Sequence, residues 1–103
     1  MAIKKLPRKV YQKFRTRKGR FFFGTIIKEV SINQRSKTQG DYKKMLQLIK
    51  KARGGAEVIR LGYYVKDKGK PEKDYHWGSQ TTFQLDVKNF KKLLSKAKQK
   101  GIL

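Results

Sequence analysis

Apolar and polar residues along the chain fall into stretches of two different periods. Residues 10–16 (VYQKFRT) read as a short strand. Residues 21–32 (FFFGTIIKEVSI), rich in aromatic and β-branched side chains, read as a longer one. Arg17-Lys18-Gly19-Arg20 lies between them, with glycine where positive φ is cheap, and predicts a hairpin turn. Gly24 interrupts the second strand, as a bulge or a point of close backbone approach. Residues 33–40 (NQRSKTQG) are polar apart from the glycine and predict a loop. Tyr42, Met45, Leu46 and Ile49 then recur at helical spacing behind a capping Asp41, and Gly54-Gly55 marks the end of that helix.

Residues 56–66 alternate. Ile59, Leu61, Tyr63 and Val65 share one side, and Val58, Arg60, Gly62 and Tyr64 the other. Residues 67–74, with Gly69 and Pro71 among charges, predict a hairpin loop, and residues 75–85 alternate again. Asp86 caps a last helix with an apolar stripe of Val87, Phe90, Leu93, Leu94 and Ala97, closed by Gly101. The expected order is β-β-α-β-β-α. This is an α+β, two-layer architecture: a four-stranded antiparallel sheet with both helices on one face. The other face, with Arg60 and Tyr64, would stay open.

Charge turns this pattern into a function class. The 103 residues contain 28 Lys and Arg against 7 Asp and Glu, a net charge of +21, yet 12% are aromatic. A disordered basic tail is poor in aromatics, so the chain reads as one folded, strongly basic module. Self-repulsion on that scale is relieved by a polyanion, and nucleic acid is the commonest. Residues 1–9, with four cations and Pro7, form a basic arm, and residues 10–103 a single nucleic-acid-binding domain. With no cysteine and one histidine, His76, the chain builds no thiolate or multi-histidine metal site. No cofactor is expected. No apolar run approaches membrane-spanning length, and the first residues lack the apolar core of a signal peptide. The expected location is cytoplasmic (nucleoid-associated) or nuclear, not secreted, with no membrane partner.

Aromatics interleaved with cations suit single strands, whose bases stack on rings while Lys and Arg follow the phosphates. The candidate contacts are Arg15, Arg17, Lys18, Arg20 and Phe22 on the first hairpin. Arg60, Tyr64 and Trp77 lie on the second, with Lys66, Lys68 and Lys70 in its loop. Phe21, Phe23 and Tyr63 are expected in the core. Enzymatic activity is not expected. A metal-dependent nuclease needs clustered carboxylates, and the seven present are scattered among caps and loops.

The C-terminal half resembles the positive-cofactor-four-like family of single-stranded-DNA-binding transcription coactivators. The likeness rests on a strand at 58–65, a charged hairpin at 66–74, a strand at 75–85 and a helix at 87–99. Thr81-Thr82-Phe83-Gln84-Leu85 stands where that family has a Lys-Gly-Ile-Ser-Leu-type strand end, and Phe90 where its helix carries Trp. More loosely, the chain is similar to small archaeal single-stranded-DNA-binding proteins with a concave sheet. The resemblance implies a homodimer through the C-terminal helix, for which Phe90, Leu93, Leu94 and Ala97 are the candidate interface. The expected function is non-enzymatic, weakly sequence-specific binding of single-stranded nucleic acid, DNA before RNA. The alternative is an RNA-binding structural component of a ribonucleoprotein, of the ribosomal-protein type.

Overall fold

The computed structural model of the chain describes residues 5–35, 40–78 and 84–103. Five strands follow one another: β1 (Arg8–Lys13), β2 (Arg20–Arg35), β3 (Asp41–Lys51), β4 (Glu57–Lys66) and β5 (His76–Trp77). One helix, α1 (Val87–Gln99), comes last among the elements. Each strand pairs antiparallel with the next, and the sheet curls into a half-barrel. The expected four-stranded α+β order β-β-α-β-β-α is therefore corrected. The protein is mostly β, and residues 41–51, expected as a helix, are the central strand.

The physical reason lies in the burial of β3. Lys44, Met45, Leu46, Gln47, Leu48 and Ile49 are all buried, so the strand is covered on both sides. A strand of that kind has no wet face, and its sequence shows a run rather than an alternation. Four apolar residues in such a run can match a helical spacing by chance. Lys, Met, Leu and Gln also favour helices intrinsically, but the ladders to β2 and β4 on either edge override that weak preference. Gly54 and Gly55 keep positive φ (76° and 67°), now in the turn of a β-hairpin that the Lys51 N–H closes on the Ala56 carbonyl at 2.8 Å.

Other boundaries also move. Arg8 and Lys9, expected in the arm, open β1. Within the expected strand at 75–85, His76–Trp77 form β5, and residues 79–83, including Thr81, Thr82 and Phe83 of the resemblance, lie outside the described residues. Gly24 is a point of close approach: a Cβ there would lie 2.4 Å from the Lys50 carbonyl oxygen. Register shifts between Val10 and Tyr11 and between Ile26 and Lys28 bend the first two strands near it.

The register also divides the core. Leu46 and Ile49 are an odd number of residues apart on β3 and face opposite ways. On one side, Leu93 and Ala97 of α1 pack on Val30, Ile32 and Leu46. On the other, Val10, Ile26 and Ile49 pack together with Leu6, Phe23 and Val58 around them. The helix forms as its sequence predicts. Asp86 accepts a hydrogen bond from the Asn89 N–H at 3.2 Å, and Gly101 (φ 74°) ends it. Lys96 ties it to the Ser31 carbonyl at 2.9 Å. α1 rests mainly on β2 and β3, so Ile59 and Leu61 of β4, on the helix side, stay 43% and 41% exposed. Among the described residues no helix is long and apolar enough to cross a membrane.

Candidate nucleic-acid interface

The two expected contact regions share one sheet face but not one location. Phe22 lies on β2 beyond the end of β3, whose last partner there is Gly24. Tyr64 pairs with Lys43 towards the opposite end of β3. Between them the face is not an open platform, because the curl fills it with the Val10–Ile26–Ile49 cluster. The picture of a single uncovered surface is corrected accordingly: one end bears exposed rings, the other a polar network.

The exposed end is the tip of the β1–β2 hairpin, closed by a Phe14 N–H bond to the Gly19 carbonyl at 3.2 Å. Tyr11 and Phe22 meet on one side of it with ring centroids 5.7 Å apart. Phe14 and Phe21 meet at 5.1 Å, and the Arg17 guanidinium sits 4.0 Å from the Phe14 ring centre. The tip approaches the β3–β4 turn, where the Ala52 N–H donates to the Phe23 carbonyl at 2.9 Å. Between the two turns runs a groove of about 820 Å³ lined by Phe14, Phe21, Phe22 and Phe23 with Arg17, Lys51 and Arg53. Tyr11, Phe21 and Phe22 are 54%, 37% and 42% exposed. Apolar rings left this open gain little stability and are free to stack on a ligand. Arg15, Arg17, Lys18 and Arg20 are exposed around them, and no carboxylate occurs between Val10 and Phe23. Phe21, expected in the core, belongs to this surface, whereas Tyr63 is buried as expected.

The other end is a chain of hydrogen bonds across four strands. Arg8 of β1 grips Glu29 of β2 with both terminal guanidinium nitrogens, Nη1 to Oε1 at 2.7 Å and Nη2 to Oε2. Gln47 of β3, fully buried, donates to Glu29 at 3.1 Å and accepts from Arg60 Nε of β4 at 2.9 Å. The Arg60 guanidinium lies 4.2 Å from the centre of the Trp77 ring, and Tyr64 meets that ring edge-on at 5.1 Å. Trp77 seats itself between them by lying against Gly62, where a Cβ would come within 2.2 Å of the indole. The ring expected as a stacking platform is thus occupied by Arg60 and Tyr64. Burial alone would lower the Arg8 pKa, but its bonds to Glu29 outweigh that and raise it. Among the described residues Arg60 bonds to no carboxylate, and burial pushes its pKa down.

The loop after β4 divides the three lysines expected there. Lys66 is buried and bonded to Asp41 at 2.7 Å, an ion pair that holds β4 to the start of β3. That hydrogen bond keeps the Asp41 carboxyl below its usual range and lifts the Lys66 ammonium above its own. Lys66 is therefore a structural residue, while Lys68 and Lys70 remain exposed. On α1, Leu93 and Ala97 are fully buried in the chain's own core, leaving Phe90 and Leu94 as the accessible part of the expected dimer stripe.

Sequence reasoning missed Phe14, Lys51 and Arg53 in the groove, and Arg8, Glu29 and Gln47 in the network. Glu29 carried a signal: it is the only carboxylate before Asp41 in a chain of net charge +21, and it falls in a strand. Gln47 carried none, since it was read as part of a helix. Among the described residues no group of His, Asp and Glu is placed to hold a metal ion. The chain was also compared with protein-family models, with curated proteins and with solved structures, and nothing matches it in any of the three.

Proposed function

We propose that the protein binds single-stranded nucleic acid without catalysing a reaction. The observation that carries this reading is the groove at the hairpin tips. Exposed Phe21 and Phe22 stand there beside Arg17, Lys51 and Arg53, with no carboxylate lining it. Unpaired bases stack on such rings for roughly 1–3 kcal/mol each, and the cations follow the phosphates. A duplex hides its base faces and could use only the cations. The net charge of +21 supplies long-range attraction to any polyanion. The rings supply the preference for unpaired strands. The resemblance of the C-terminal half to the positive-cofactor-four-like family points the same way.

The test is a fluorescence titration of labelled single-stranded and duplex oligonucleotides, DNA and RNA, at several salt concentrations. Single strands should bind more tightly, with log affinity linear in log salt. Equal or tighter binding of duplex at every salt concentration would refute the reading.

A further inference from the structure

Arg60 is aimed by its neighbours through one nitrogen and its ring contact, which leaves its other two nitrogens unused. Its Nε is held by Gln47, itself held by Glu29, and its flat face is held against Trp77. Its Nη1 and Nη2 donate to no described residue. Among the described residues no buried side-chain nitrogen is left without a partner, so neither of these two is fully enclosed. The result is a fixed fork of donors beside two aromatic rings, on the same sheet face as the hairpin-tip groove but towards its other end. Arg8, the other guanidinium of the network, is instead neutralised by both oxygens of Glu29.

We infer that the Arg60 fork reads a base, selecting one that presents two hydrogen-bond acceptors side by side. Guanine offers such a pair through O6 and N7, and unpaired cytosine through O2 and N3. Thymine separates its two carbonyls by N3–H, and adenine separates N1 from N7 by its N6 amino group, while its N1 and N3 lone pairs diverge about C2–H. A phosphate would accept from a guanidinium in many orientations and has no need of this fixed one. The exposed Arg15, Arg17, Lys18 and Arg20 already serve that purpose. A guanidinium set over an aromatic ring leaves its edge for in-plane contacts.

The inference rests on the proposed binding of single strands, and its test separates the two. The intact protein is titrated with oligo(dT) and with the same oligonucleotide carrying a central dG, dC, dA or 7-deaza-dG. The expected result is binding on the order of tenfold tighter with dG or dC than with dT or dA, a difference typical of one bidentate contact. If guanine is read, 7-deaza-dG, which lacks N7, should lose most of its advantage. If cytosine is read, dC alone should show the gain. R60K keeps the charge and removes the fork, so the ratio of dG or dC affinity to dT affinity should fall to about one, whatever the change in overall affinity. Equal affinity for all the oligonucleotides overturns the inference and leaves the proposed function standing. A uniform loss in R60K across every sequence overturns it too, by making Arg60 a phosphate contact. Failure to bind any of them removes the underlying reading instead.

Discussion

The two ends of one sheet face use the same residue types in opposite ways. At the hairpin tip, aromatic rings and guanidinium groups stack but remain in water, and among the described residues no acid lines the groove beside them. At the Arg8–Glu29–Gln47–Arg60 network, rings and guanidinium groups are fixed by hydrogen bonds across four strands. The difference teaches what makes an aromatic–basic cluster available. A ring whose neighbours are only cations has nothing to hold it away from a ligand. A cation with a carboxylate partner is part of the fold before it is part of any interface.

The contrast predicts that stability and binding should separate. The largest expected effect is on folding. E29A takes the carboxylate away from the partly buried Arg8 and removes an acceptor from Gln47, and should cost about 3 kcal/mol in urea denaturation. Oligo(dT) affinity of the folded variant should stay within about twofold, because the tip lies at the other end of the face. A large drop in affinity with unchanged stability would reverse the roles of the two ends. Next comes the tip itself. F21A/F22A should weaken oligonucleotide binding by roughly 1–3 kcal/mol for each base that no longer stacks, while changing the denaturation midpoint only slightly.

Charge at the tip should act differently from its rings. Replacing Arg15, Arg17, Lys18 and Arg20 by Gln should flatten the salt dependence by about 0.7 in the log–log slope for each phosphate no longer neutralised. The ring variants should keep the slope. The smallest effect belongs to the Asp41–Lys66 pair. Asp41's carboxyl has a depressed pKa when folded, so proton uptake favours the unfolded chain. The pair's contribution is present above the usual carboxylate range and is lost as pH falls through the lowered value. Lys66 is raised, so the same contribution fades again as pH climbs past the ordinary lysine range. D41N should therefore flatten the acid limb of stability against pH, as read by thermal melts.

How much was legible follows from where each element sits. The α1 stripe could be read because the helix covers the core with one face and water wets the other, so that Leu93 and Ala97 stand out from the lysines around them. The first hairpin was legible from Gly19 and from the β-branched and aromatic run after it. Residues 41–51 were not, because Gln47 and Lys44 are buried alongside Met45, Leu46, Leu48 and Ile49. The site followed the same rule. Arg17, Lys18, Arg20 and Phe22 are exposed, as their local sequence led one to expect. Arg8, Glu29 and Gln47 come from three strands, and nothing in their own surroundings announces the meeting.

The sequence by itself determined the charge, the absence of cysteine, the hairpin turn at Gly19 and the amphipathic helix with its Asp86 cap, since each depends on neighbours within a few residues. The tertiary structure alone decided that a stretch of good helix formers becomes the central strand, and that Trp77 lies on Gly62 with Arg60 against it. Those outcomes depend on which strand lies beside which. A strand acquires its partners only when distant parts of the chain close over it, so its neighbours' side chains, rather than its own, set its conformation and its chemistry.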